Sequence, residues 1–311
     1  MGPAMAGLSP KERPSRIIDT HQHLWDLDLF SYSWCRSIPQ LNRSFRIKDY
    51  MEAVRDLNVV KSVHVEADVD EPYMLQETEH LLALAEKDNV LEGVVACCRP
   101  ESRDFPAYLD RIAQYSRVKG VRRVLHTQPD DLSQSRLFVD HIRLLPAYRL
   151  SFDICVLARQ LPLALDLAGK CPDVSFILDH CGNPLVREGR LELWREQLSE
   201  VAALPNVTCK VSGIVTNADP DRWSCEDLSA PVEHVLQCFG WDRVMFGSDW
   251  PVCTLAASFR EWTEALTKIV EQAPEEDQEK LFWRNAERIY RLQRPEGAEL
   301  PPEGAPQSEP D

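Results

Sequence analysis

No apolar stretch in the chain approaches the roughly 20 residues that a membrane-spanning helix needs. Positive charge is scarce: 35 Lys and Arg stand against 50 Asp and Glu, a formal net charge of −15. That balance argues against broad binding to nucleic acid or to an anionic membrane. It leaves room for an anionic substrate in a small basic pocket. Among ten cysteines there is no C-x-x-C pair. Cys97 and Cys98 are adjacent, and Cys155, Cys181 and Cys209 sit inside apolar runs. They read as small buried hydrophobes of a reduced compartment, not as a metal or disulfide framework. Residues 1–14 lack the apolar core of a secretory signal and the Arg/Ser richness of a transit peptide. The expected location is the cytoplasm. Neither G-x-G-x-x-G nor a P-loop follows the first apolar run, which weakens a nucleotide-binding reading.

What the 311 residues do contain is an alternation. Short β-branched runs at 16–23, 60–68, 90–98, 118–126, 152–157, 174–181, 207–212 and 243–248 read as strands. Between and after them, helical periodicity runs over 48–57, 73–87, 105–117, 135–147, 161–169, 191–203, 227–239 and 256–270. Strict alternation implies a parallel sheet, and eight units in this length favour a closed barrel. The expectation is a single-domain α/β fold, a (β/α)8 TIM barrel, over residues 15–293. An extra C-terminal helix at 275–292 is expected on its outside. Residues 1–14 and the Pro/Glu-rich tail 294–311 read as disordered.

A barrel places its active site at the C-terminal ends of its strands. Strand 1 ends in His21-Gln22-His23, strand 2 in His64-Val65-Glu66-Ala67-Asp68, and strand 4 in Arg122-Arg123-Val124-Leu125-His126. Strand 6 ends in Asp179-His180, and strand 8 in Gly247-Ser248-Asp249-Trp250-Pro251. Titratable groups thus converge on one rim from five strands. Residues i and i+2 of a strand share a face, so His21 and His23 can address one metal ion or one substrate oxygen. Asp249 reads as a helix N-cap or a catalytic base, and the histidines tip it toward base. His180 reads as a core histidine or a rim ligand. Asp179, of opposite parity, is expected to face the helix layer. Arg122 and His126 share a face, and Arg122 offers a fork to substrate or a salt bridge inside the barrel. Glu66 shares its face with His64 and Asp68. Trp25 serves as a stacking wall or as plain core.

The stretches Ile18-Asp19-Thr20-His21-Gln22-His23-Leu24-Trp25, Gly120-Val121-Arg122, Leu178-Asp179-His180-Cys181-Gly182 and Met245-Phe246-Gly247-Ser248-Asp249-Trp250-Pro251-Val252-Cys253 resemble the amidohydrolase-2 branch of the amidohydrolase superfamily. The resemblance covers about residues 16–292. The strand-8 stretch looks most like L-fuconolactonase-type sugar lactonases, with L-rhamnonate lactonases and 2-pyrone-4,6-dicarboxylate hydrolases as further relatives. One departure stands out. Metal-dependent members usually add a strand-5 histidine, and here that strand reads Phe152-Asp153-Ile154-Cys155-Val156-Leu157. Strand 4 also ends without a bridging Lys or Glu.

The resemblance therefore implies a hydrolase that opens an aldono-lactone. No cofactor is expected to be required, and an optional divalent metal such as Zn or Mn would sit on His21, His23 and Asp249. Asp249 would act as base and then acid. His21, His23 and His180 would stabilise the oxyanion, while Arg122, His126, Glu66 and Trp25 would hold hydroxyls or the ring. The alternatives are a metal-dependent decarboxylase, an amide or pyrone-dicarboxylate hydrolase, and a non-catalytic binding protein. The expected partner is a small lactone, with no nucleic acid and no membrane. A homodimer through the outer helices stays open.

Overall fold

Strands covered on both faces read as near-continuous apolar runs, and parallel pairing requires a crossover after each one. The computed structural model describes Leu8 and residues 13–292. It holds eight such strands: β1 Ile17–Gln22, β2 Val59–Val65, β3 Leu91–Cys97, β4 Val118–Val124, β5 Ser151–Cys155, β6 Phe176–Leu178, β7 Val207–Val211 and β8 Val244–Phe246. They lie in sequence order, each parallel to the next. The two ends then meet. The Asp249 N–H donates to the His21 carbonyl at 2.7 Å, and the His23 N–H donates to the Trp250 carbonyl at 2.7 Å. Gly247 makes that approach possible, because a Cβ there would lie 2.7 Å from His21 Cβ. The fold is the single-domain (β/α)8 barrel expected from the sequence. The expected disorder of 1–14 and 294–311 falls outside the described residues, apart from Leu8, Arg13 and Pro14.

The crossover helices start where capping chemistry supports them. Ser224 with Asp227, and Ser258 with Glu261, form reciprocal caps on Cys225–Phe239 and Phe259–Val270. Pro106 and Pro162 open Phe105–Ile112 and Leu161–Lys170. Several strands stop earlier than the apolar runs suggest. β6 stops at Leu178 because His180 and Cys181 take left-handed φ values of 53° and 54°, which cannot continue a ladder. Among the described residues no helix is long and apolar enough to cross a membrane.

The C-terminal helical segment does not lie on the outside. It runs through Glu275–Glu279, a wider π-turn over Lys280–Arg284, and Asn285–Ile289. Ala286, Tyr290 and Leu292 pack into the barrel interior with Ile18, Val63, Val65, Val95, Ile177 and Met245. Glu287 meets Arg16 and Lys61 beside the starts of β1 and β2, and Asn285 Nδ2 donates to the Val244 carbonyl at 2.8 Å. The segment therefore plugs the N-terminal end of the barrel. The amphipathic pattern looks the same for either placement, which is why it misled.

Glu77 of the helix Met74–Ala85 is buried and accepts a hydrogen bond from Tyr32 Oη at 2.8 Å. Burial and the nearby Glu66 charge push its carboxyl from 4.5 up to about 8. The fold keeps a proton that the unfolded chain has already released, so stability declines as pH rises from about 4.5 through about 8. Glu77→Gln is expected to gain on the native protein by more than about 1.4 kcal/mol between pH 5 and pH 9, the worth of one pKa unit. Urea melts at the two pH values measure it; an unchanged difference would mean that Glu77 ionises freely in the fold.

Candidate active site

β1 delivers its histidines through an irregularity. Asp19 pairs with Ser62 and Gln22 with His64, so β1 carries one more residue than β2 over that step. Such a bulge resets side-chain parity. Ile18 belongs to the interior, yet beyond the bulge it is His21 and His23 that point inward. His23 Nδ1 lies 2.7 Å from the Val65 carbonyl. A carbonyl only accepts, so Nδ1 carries a proton, and in the neutral tautomer this selects, Nε2 presents the lone pair.

His180 arrives by a different route. Strand parity alone sends Asp179 inward after Ile177, and the left-handed turn at His180 then brings the next side chain in as well. The expectation that Asp179 faces the helix layer is therefore wrong: both residues reach the centre. Gly213, with φ 64°, leaves space for the imidazole, since a Cβ there would meet His180 Nδ1 at 2.5 Å. Ser212 Oγ lies 2.9 Å from that Nδ1. The hydroxyl serves either tautomer: donating, it leaves an N–H on Nε2, and accepting, it leaves a lone pair there.

Asp249, at φ 59° and 4% exposed, completes the group. Its Oδ1 lies 3.9 Å from His21 Nε2, 3.5 Å from His23 Nε2 and 3.9 Å from His180 Nε2. Three imidazole edges thus converge on one carboxylate oxygen. Burial drives the pKa of both His21 and His180 below the usual imidazole range, so both rings favour the neutral form.

Beneath this centre lies a buried charge network. Arg122 donates through Nε to Glu66 Oε1 at 2.7 Å, through a terminal nitrogen to Asp179 Oδ2 at 3.1 Å, and through the other to the Glu66 carbonyl. Lys210 of β7 donates to Asp153 Oδ2 and lies 3.2 Å from Asp179 Oδ1. Asp179 Oδ1 in turn lies 3.2 Å from His21 Nδ1. Burial alone would raise the Asp179 carboxyl, yet Lys210, His21 and Arg122 hold it well below the usual carboxylate range. Glu66 is likewise held low by Arg122 against the effect of burial. Tyr290 Oη closes the network from below at 3.2 Å from Asp153 Oδ2.

Above the centre opens a cavity of about 430 Å³, lined by His23, Arg122, His126, His180 and Asp249 among others. That is the size of a small-molecule site. Trp25 is not part of its wall. It is 2% exposed, packs on Phe45 and Trp34 at ring distances of 4.9 and 5.4 Å, and belongs to the core. The wall is Trp34, fixed by its Nε1 donating to the Ala67 carbonyl at 2.7 Å. Glu66 faces Arg122 rather than the cavity. Cys155, at the end of β5, lines the cavity 3.2 Å from His126 Nδ1.

The amidohydrolase family model matches residues 18–292. The L-fucono-1,5-lactonase of Burkholderia ambifaria is 31% identical over 288 residues, covering 90% of this chain and 97% of that one. The enzyme of the same name from Burkholderia multivorans is 31% identical over 91% of this chain and 98% of its own. A solved amidohydrolase from Burkholderia multivorans with bound zinc superposes with a TM-score of 0.81 at 30% identity, over 89% of this chain and all of that one. The chain belongs to the amidohydrolase family.

In this amidohydrolase the donors fit a divalent cation. His21 Nε2 and His23 Nε2 stand 3.2 Å apart beside Asp249, and the far nitrogen of each ring is fixed by Asp179 or Val65. In the tautomers these contacts favour, the two Nε2 lone pairs face the same space, where the Arg122 guanidinium, 3.3 Å from His21 Nε2, or a bound cation can meet them. Ligating histidines are typically held this way by their other ring nitrogen. His21, His180 and Asp249 also bring ligand atoms within 4.8 Å of one another, as do Cys155, Asp179 and His180. Sequence reasoning missed Lys210 and Asp153. The signal was present: each is a charge in the middle of an apolar strand, where a parallel barrel has no solvent face.

Proposed function

We propose that this amidohydrolase opens a sugar-acid lactone of the L-fuconolactone type by adding water at the ring carbonyl. The observation that carries the reading is the convergence of His21, His23 and His180 on Asp249 at the floor of the cavity. The names of the 31% identical relatives support the substrate class.

Asp249 Oδ takes a proton from water while the water oxygen bonds to the carbonyl carbon. With Ser212 donating to its Nδ1, His180 aims Nε2–H at the developing oxyanion. The ring C–O bond then breaks, and Asp249 returns its proton to the departing ring oxygen. Carboxylate and imidazole end as they began. Arg122 holds Asp179, which orients His21, and His126 borders the substrate space. A divalent cation held by His21, His23 and Asp249 would supply Lewis-acid polarisation of the carbonyl.

The test is acid release from L-fuconolactone, L-rhamnonolactone and D-galactonolactone, corrected for spontaneous hydrolysis. A folded protein that opens none of them would defeat the reading. A lactone is a strained, activated ester, so chelation is expected to lower turnover by less than about tenfold, or about 1.4 kcal/mol. Turnover with and without chelator, alongside metal analysis of the same samples, measures this. Loss of nearly all activity, restored by added zinc, would favour a metal-dependent hydrolase or decarboxylase instead. The same reading takes a small molecule as the partner and keeps the chain in the cytoplasm, where its ten free thiols stay reduced.

A further inference from the structure

The end of β2 carries a carboxylate that the mechanism does not use. Asp68 follows Glu66 and Ala67 and lines the same cavity as Asp249. Its backbone is left-handed at φ 50°, and its N–H donates to Glu66 Oε2 at 2.7 Å. The Ala67 carbonyl between them is fixed by Trp34. The turn is thus held from both sides, and Asp68 cannot swing away without breaking one of these bonds. No described residue donates a hydrogen bond to its side chain.

The positive charges nearby are all committed elsewhere. Arg122, the one Lys or Arg among the described residues lining the cavity, spends its guanidinium on Glu66, Asp179 and His21. Arg123 pairs with Glu101 at 2.9 Å, and Arg99 donates to Cys97 Sγ and the Cys98 carbonyl. Neither of these two lines the cavity. Two carboxylates, Asp68 and Asp249, therefore face the substrate space with no guanidinium or ammonium free to meet an anion. The remaining polar groups suit hydroxyls. Thr216 Oγ1 is buried on the cavity wall with no hydrogen-bond partner among the described residues, and Asn217 and Thr127 line the same cavity.

We infer that Asp68 is a charge filter and hydroxyl acceptor: it selects neutral polyhydroxylated lactones and rejects substrates that carry a carboxylate. This rests on the lactonase reading and adds a specificity-determining residue to it. An anion placed beside Asp68 meets like charge in a partly dry site, whereas a hydroxyl donates to it. The net charge of −15 acts in the same direction on approach.

The experiment compares a neutral aldono-lactone with a carboxylate-bearing aldaro-lactone on the native protein, Asp68→Asn and Asp68→Ser, with thermal melts to confirm folding. Binding of the corresponding lactams, neutral and carboxylate-bearing, is measured in parallel by calorimetry. For Asp68→Asn the ratio of kcat/KM, acidic over neutral, is expected to rise by about ten- to a hundredfold, as expected for two like charges a few ångströms apart at intermediate dielectric. KM for the neutral lactone should rise more than kcat falls. An unchanged ratio in both folded variants, or tighter native binding of the carboxylate-bearing lactam, overturns the inference. A native protein that opens no lactone but binds the neutral lactam in preference overturns the lactonase reading and leaves the charge filter supported.

Discussion

Asp249→Asn is expected to lower kcat for lactone opening by about a thousandfold, within the range set by loss of a positioned general base. The substitution is nearly isosteric. The backbone bond from residue 249 to the His21 carbonyl does not involve the side chain, so barrel closure persists. What disappears is the capacity to take a proton from water and return it to the ring oxygen. KM should change little, because most of the cavity wall comes from the ends of other strands. Steady-state kinetics on protein with a native melting profile decide the point. Turnover within a few-fold of native would place the base elsewhere, and a large rise in KM with kcat intact would reduce Asp249 to a binding group.

Lys210→Met is expected to destabilise the protein by about 3–5 kcal/mol, the typical consequence of removing one partner of a buried pair. Lys210 and Asp153 are fully buried. Without the ammonium, Asp153 and Asp179 lose the charge between them, and only Arg122 and His21 remain to offset Asp179. Methionine fills much of the volume, so the loss is electrostatic rather than a cavity effect. The double variant Lys210→Met with Asp153→Leu should recover more than half of the lost stability, because replacing a whole buried pair by apolar groups is often near neutral. Denaturant unfolding of native, single and double variants measures both quantities. A single variant as stable as native would show that the pair contributes nothing.

The architecture was legible because a parallel barrel repeats one pattern eight times, and each repeat carries its own turn chemistry. His21, His23, His180 and Asp249 were legible because strand ends are where a barrel collects its reactive groups. Less visible was anything decided by a single backbone step. Asp179 was misassigned because its parity was counted back from His180, which lies beyond the end of the strand at φ 53°, rather than forward from Ile177. The bulge in β1 is equally silent in sequence, although here it turned the expected pair inward. Trp25 and Trp34 differ by loop path rather than by composition. Only the fold could show which one borders the cavity. Lys210 and Asp153 could have been found as charges with no water to face.

The plug at the N-terminal end of the barrel also bears on synthesis. Ribosomes deliver Ile17 early, and Tyr290 emerges only after all eight strands. Until it does, Ile18, Val63, Val95 and Met245 have no lid against water, and Asp153 lacks its hydroxyl partner. A nascent chain halted before residue 285 can hold helices and strand pairs, but not a sealed interior. A barrel without these helical turns would leave its apolar interior open at one end, the kind of exposed surface that favours aggregation.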